Sequence, residues 1–313
     1  GLVFQQVFGI DTLWGIDFFW IAAIGLVLIT AVYTIFGGMK SVLYTSVLQT
    51  PILLLGSLII LVLGLKELGG WDEMMRICSD VKVNEYGDTM TNLIRDNRDG
   101  QYPWLGALVG SAVIGFWYWC TDQFIVQRVL SGKNEKEARR GTIFGAYLKL
   151  LPVFLFLIPG MIAFALHQQT GSFLPLTDGG LVNSDAAFPT LVAKLLPAGI
   201  KGVIVCGILA ALMSSLASLF NSSSALFTID FYKRFKPNTD PKKLVRIGQA
   251  ATVVIVLLGI LWIPIMRSIG DVLYLYLQDV QSVLAPGIAA AFLLGILWKR
   301  CSAQGLSLIH ISE

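Results

Sequence analysis

The stretch from Ala210 to Ser224 carries six serines in otherwise apolar surroundings. Positions 211, 215, 218 and 222 recur every three or four residues, so a helix sets Ala, Ser, Ser and Ser along one face. Two chemistries fit that face. Small residues let helices approach closely. Serine hydroxyls could equally bind sodium, helped by carbonyls freed where a neighbouring helix unwinds. Sodium is a hard ion that takes several oxygens, and a site without a countercharge releases it readily.

Phe116, Trp117, Tyr118 and Trp119 fall in the middle of an apolar run, not at its edge, where Trp and Tyr ordinarily anchor membrane proteins. At that depth they need polar partners or a ligand. A sugar offers an apolar ring face for stacking and a rim of hydroxyls, which suits aromatic residues together with Lys149 and Gln278. Asp122, Lys149 and Asp279 read as ionisable groups inside spans. A charge at the bilayer centre costs from about 2.5 to well over 10 kcal/mol, so each points to a wet cavity or a partner. The plainer readings are that Lys149 snorkels to an interface and that Asp122 partners a freed backbone amide or an Arg. Pro152, Pro159, Pro264 and Pro286-Gly287 predict interrupted helices, and discontinuous helices near the midplane are where transporters bind substrate and ion.

The elements that must hold these residues are membrane spans. The 313 residues are 55% hydrophobic and only 14% charged, with a mean hydropathy of +0.72, far from the globular norm of about 25% charged. Soluble enzymes and nucleic-acid binders are excluded. Seven runs lack Asp, Glu, Lys and Arg: 18–36, 41–65, 103–121, 150–177, 202–229, 247–266 and 280–298. Each reaches the roughly 20 apolar residues that crossing a bilayer core takes. Gly37-Gly38 predicts a tight hairpin between the first two. The connections 127–141 and 230–246 are strongly basic, whereas 66–102 and 167–201 are rich in Gly, Asp, Asn and Thr. Positive loops stay cytoplasmic, so the amino terminus is expected outside and the carboxyl terminus inside, in a multi-pass protein of the plasma membrane. Both polar connections read as extracellular, with short surface helices, and His167 reads as a solvated surface residue. Cysteines 78, 120, 206 and 301 have no paired spacing, which suggests neither a disulfide framework nor a zinc site.

Five motifs carry a resemblance to a known family: YTIFGGMKSVLYTSVLQ (33–49), WYWCTDQFIVQR (117–128), GAYLKLLPVF (145–154), ALMSSLASLFNSSSALFTIDFY (211–232) and PGIAAAFLLGILWKR (286–300). Together they resemble the sodium/solute symporters, and within them the sodium/glucose cotransporter branch. The resemblance implies an all-α, polytopic fold in which seven transmembrane helices form part of a LeuT-type inverted repeat. Residues 1–305 would then be a partial transporter domain holding core helices four to ten of ten. Residues 306–313 look like a non-native read-through tail, which makes His310 uninformative. By the same resemblance, sodium is bound by the Ala211 carbonyl with the Ser214 and Ser215 hydroxyls. Tyr118 is an aromatic gate, and Trp119, Lys149 and Gln278 contact substrate. Two positions depart from the family pattern. Gly115 stands where sugar-transporting members carry Thr or Asn, and Ser46 stands where many carry Asp.

The expected function is therefore sodium-coupled symport of a sugar or polyol by alternating access. Sodium is the coupling ion, there is no organic cofactor, and the partners are the solute and the lipid bilayer. The alternatives are a symporter for another organic solute, or a sensor input domain of the same fold. A membrane enzyme is not expected, since the sequence has no metal-binding carboxylate cluster.

Overall fold

The computed structural model describes residues 2–100, 102–176, 180, 182–269 and 273–302. The 303–313 segment, and with it the expected read-through tail, lies outside the described residues. In chain order the elements begin with α1 (Leu2–Phe8), a two-residue hairpin of β1 (Thr12–Leu13) and β2 (Ile16–Asp17), α2 (Phe18–Leu68), α3 (Trp71–Asp80) and α4 (Trp104–Phe116). After these come α5 (Gln123–Leu130), α6 (Glu135–Leu148), α7 (Ile158–Thr170), α8 (Ala187–Leu195) and α9 (Ala198–Ala225). The last are α10 (Lys233–Phe235), α11 (Pro241–Ile269) and α12 (Leu273–Leu297). Among the described residues, three π-helical segments interrupt the ladder, at Trp117–Thr121, Val153–Leu157 and Leu226–Tyr232. Among the described residues, seven helical segments are long and apolar enough to cross a membrane, one for each charge-free run of the sequence.

Two compact units make up the chain, one of residues 1–74 and 145–269, the other of 75–144 and 270–313. In the first, α2 packs along α9, and α11 packs on both. Asp17 caps α2, its carboxylate accepting from the Phe19 amide at 2.9 Å. At 51 residues, a straight α2 would be about 76 Å long, over twice the hydrocarbon thickness. It folds back on itself instead. The Tyr33 hydroxyl donates to the Met213 carbonyl at 2.6 Å, and the Ser46 hydroxyl meets that of Ser214 at 2.6 Å. Residues 33 and 46 would be about 20 Å apart on a straight helix, yet they reach neighbouring positions of α9. The expected hairpin between two spans is thus present. Its expected turn is not, because Gly37 and Gly38 are helical and no coil residue separates the spans.

Past the fold-back, α2 descends α9 in reverse register, Ser46 at Ser214, Ile52 at Gly207 and Gly56 at Ile204. The crossing depends on reciprocal Gly–Ile contacts. A Cβ added at Gly207 would lie 2.7 Å from Ile52 Cγ2, and one at Gly56 would lie 2.7 Å from Ile204 Cγ1. Ile is β-branched and stiff, so the helices would have to part. Gly207→Ala is accordingly expected to lose about 1–3 kcal/mol to overpacking, read as a lowered melting temperature in detergent. An unchanged melt would mean that the contact relaxes freely.

On the polar side of this unit, α8 packs against α7 and α1. Pro189, Thr190, Leu191 and Val192 are buried, so α8 is not the surface helix expected. Nor is His167 solvated. It is 8% exposed, and its Nδ1 accepts from the Leu174 amide at 3.0 Å, where the chain turns back after the left-handed Gly171 that caps α7.

In the second unit α12 packs on α4 and on the π segment that follows it. The loop 81–102 is cross-tied by its own carboxylates. Asp88 accepts from Asn84, Asn92 and the Asp96 amide, and Asp99 accepts from Asn84 and from the Tyr102 amide. Arg98 grips Asp96 through both nitrogens at 2.9 Å and holds that carboxyl at about 2, below its ordinary 3.8. A carboxyl depressed on folding stabilises above its ordinary range, and the contribution disappears as pH falls through the folded value. Protease resistance of this loop should therefore persist through mildly acidic solution and fail only as pH approaches about 2. Loss near the unperturbed carboxylate range would contradict the pairing.

Pro264 and Pro286 do not break their helices, as α11 and α12 continue through them. Pro159 is the second residue of α7, directly after the π segment Val153–Leu157 from which that helix continues. Pro152 stands immediately before Val153–Leu157, so the two prolines flank that disturbance. The principal irregularities are the π segments, none of which contains a proline and only one of which directly follows one.

Candidate functional site

Within the first unit, α9 holds Ala211, Ser214 and Ser215 in one turn and a half. Ser214 is 5% exposed and Ser218 is fully buried. The Ser218 hydroxyl donates to the Ser214 carbonyl at 3.0 Å, and the Ser222 hydroxyl donates to the Leu219 carbonyl at 3.1 Å. Such back-bonding satisfies each hydroxyl within its own helix. The buried stripe runs through Ser214, Ser218 and Ser222. Ser215, assigned to the same face from its spacing, lies exposed, and Ala211 is half-buried. These residues thus present one inward hydroxyl, Ser214, and one outward hydroxyl, Ser215.

Two residues outside the sequence-derived site act on this turn. Ser46, noted only as a departure from a family pattern, bonds directly to Ser214, and Tyr33 bonds the Met213 carbonyl. Both belong to α2, whose fold-back delivers them. Both lie in YTIFGGMKSVLYTSVLQ, so the signal was in view. The contact itself follows from a pairing of helices that a single sequence does not encode. Neither hydroxyl carries a charge, which suits an ion that must be both bound and released.

The aromatic group belongs to the second unit. Phe116 ends α4 and packs against Phe292 of α12 with the rings tilted and their centroids 5.8 Å apart. The π segment then carries Trp117, Tyr118 and Trp119, with Tyr118 edge-on to Trp119 at 5.5 Å. Tyr118 is half-buried, Trp119 is 41% exposed, and Gln278 is half-buried on α12. A π turn inserts one residue into the helix and shifts the side chains that follow it around the axis. The segment closes at Asp122, which adopts extended backbone and accepts from the Phe124 amide at 3.0 Å as the N-cap of α5. Asp122 is therefore not inside a helix. It serves the freed-amide role that was one of its two readings. Lys149 is exposed in a turn just past α6, in the first unit, its amide bonded to the Gly145 carbonyl. Asp279 is exposed on α12. The Gly115 position, between α4 neighbours, has open space where a Cβ would be.

Serine hydroxyls deep in apolar spans and an aromatic π turn are joined by a match over almost the whole sequence. Residues 3–309 fit the model of the sodium:solute symporter family. The chain belongs to that family. Among its relatives are the sodium/mannose cotransporter of Bos taurus, 37% identical over 303 residues, and the sodium/myo-inositol cotransporter 2 of Homo sapiens, 37% identical over 302. The sodium/glucose cotransporter 4 of Mus musculus is 39% identical over 302 residues. These matches cover 92%, 91% and 91% of this chain and 51%, 45% and 44% of the relatives, so the chain spans about half their length. A solved Na+-coupled sialic acid symporter, in a substrate-bound outward-open state, superposes with a TM-score of 0.75 at 25% identity. That superposition covers 96% of this chain and 61% of the other. The all-α architecture of seven spans is thus part of the LeuT-type fold of this family.

Proposed function

We propose that the protein to which this chain belongs couples sodium entry to the uptake of a sugar or polyol across the plasma membrane. The observation that carries the reading is the hydroxyl pair Ser46–Ser214, at 2.6 Å between two apolar spans, with Ser214 only 5% exposed. Sodium binds here through the Ala211 carbonyl and the Ser214 and Ser215 hydroxyls, exchanging part of its water shell for neutral oxygens. Core helices four to ten occupy residues 1–305, and the three preceding helices of the fold complete the ion's ligands. Tyr118 and Trp119 stack on the solute ring, while Gln278 hydrogen-bonds its rim. The basic connections face the cytoplasm, which leaves the amino terminus of this chain outside and the carboxyl end inside.

The energetics suffice. One charge crossing 100 mV releases about 2.3 kcal/mol, and a tenfold sodium gradient adds about 1.4 kcal/mol, so one ion sustains roughly a 500-fold solute gradient. The relatives named for glucose, mannose and myo-inositol support a hydroxylated, uncharged solute. An organic anion is the second reading, favoured by the exposed cationic side chain of Lys149. Competition against labelled inositol uptake by the full-length protein separates them. Hexoses and inositols should compete and dicarboxylates should not. Competition by the anions alone would assign the carrier to them.

A further inference from the structure

The connection from α9 to α11 ends in six exposed basic side chains, Lys233, Arg234, Lys236, Lys242, Lys243 and Arg246, against two acidic ones, Asp230 and Asp240. Asp240 is already engaged, its side chain accepting from the Lys242 amide at 3.1 Å and its carbonyl from the Lys243 and Leu244 amides. The other basic connection behaves differently. There Arg139 pairs with Glu135 at 2.6 Å and Arg140 with Glu137 at 3.4 Å, so much of its charge is neutralised internally. Among the described residues, none of the six at 233–246 pairs with a carboxylate.

Directly before them stands an aromatic ladder. Phe227, Phe231 and Phe235 follow at one helical turn each, with ring centroids 5.7 and 5.2 Å apart, and they are 44, 58 and 71% exposed. Tyr232 lies beneath Lys236, whose ammonium is 6.0 Å from the ring centroid. A tyrosine such as Tyr232 marks the depth at which a helix leaves the acyl region for the headgroups. An exposed apolar ladder running into unpaired cations has the sequence of a phospholipid itself, acyl chain first and phosphate after.

We propose that this patch docks the headgroups of anionic phospholipids, with the phosphate and any further acidic group on the basic side chains and the acyl chain along Phe227, Phe231 and Phe235. It does not depend on which solute is carried. Headgroup attraction there positions the mouth of α9, the helix that bears Ser214 and Ser215, against the leaflet.

The full-length protein, purified in neutral detergent, is titrated with phosphatidylserine, phosphatidylcholine or soluble inositol hexakisphosphate, and retained ligand is counted by native mass spectrometry. Phosphatidylserine should be retained over phosphatidylcholine. K242Q/K243Q/R246Q should lower its retention by about a hundredfold, each basic side chain near an anionic surface contributing roughly a factor of five. F231A/F235A should weaken retention of the lipid but not of the soluble polyphosphate, and K133Q/K136Q should leave both unchanged. Unaltered melting temperatures show that the variants remain folded. Equal retention of the two lipids would overturn the proposal. So would retention indifferent to K242Q/K243Q/R246Q, or binding of the soluble polyphosphate without any preference for phosphatidylserine.

Discussion

Ser215→Ala in the full-length protein should raise the sodium concentration for half-maximal uptake by about tenfold or more. A polar contact to a charged group contributes about 1.5–3 kcal/mol, or roughly ten- to 150-fold in affinity. Ser215 is exposed on α9, and its loss removes no packing. Melting temperature and expression should therefore stay constant while sodium dependence weakens. Ser214→Ala must behave differently. Its residue is 5% exposed and its hydroxyl is bonded to Ser46, so the substitution removes a contact between the two helices and lowers stability together with sodium affinity. Equal effects of the two substitutions on stability would show that the hydroxyls do not divide as inward strut and outward ligand. The sodium activation curve and the thermal melt, measured on both variants, decide it.

Ser46→Asp should act in the opposite direction, lowering the half-saturating sodium concentration by about tenfold or more. A carboxylate in place of the Ser46 hydroxyl would stand beside Ser214. Two unit charges about 4 Å apart attract by about 4 kcal/mol at an effective dielectric constant near 20, and part of this is returned as the cost of burying the carboxylate. Tighter binding slows release, so maximal uptake should fall as apparent affinity rises. An activation curve superposable on that of the unmodified protein would place position 46 outside the field of the ion.

The spans were legible because burial in hydrocarbon forbids charge, and seven charge-free runs of sufficient length admit one fold class. The fold-back of α2 was legible from the length of apolar chain around Gly37-Gly38, but not its form. Whether a chain turns through coil or keeps its helical bonds is settled by how the two arms seat on α9, where Gly56 and Gly207 let them close. Prolines were weak guides. Pro264 and Pro286 are absorbed within continuous helices, whereas Trp117–Thr121 departs from α-geometry with no proline at all. A π turn is a one-residue surplus accommodated by neighbours, and no residue type announces it. His167 was misread for a similar reason. Its polarity and position at a span end suggested water, but the chain after Gly171 returns to cover it and gives its ring an amide to accept from.

The serines show where reading by period stops. Spacing grouped Ala211, Ser215, Ser218 and Ser222, yet burial selects Ser214, Ser218 and Ser222, because the partner helix covers a stripe set by α2 and not by α9 alone. Ser46 was visible as an unusual residue, but its meaning came only with its distance to Ser214.

Isotopic uptake of a hexose or inositol by the full-length protein, with external sodium replaced by choline at constant ionic strength, tests sodium coupling most directly. Uptake should collapse in choline, recover on restoring sodium, and require more sodium in the Ser215→Ala variant. Accumulation that proceeds equally well in choline would contradict coupling, and with it the assignment of Ala211, Ser214 and Ser215 to the ion.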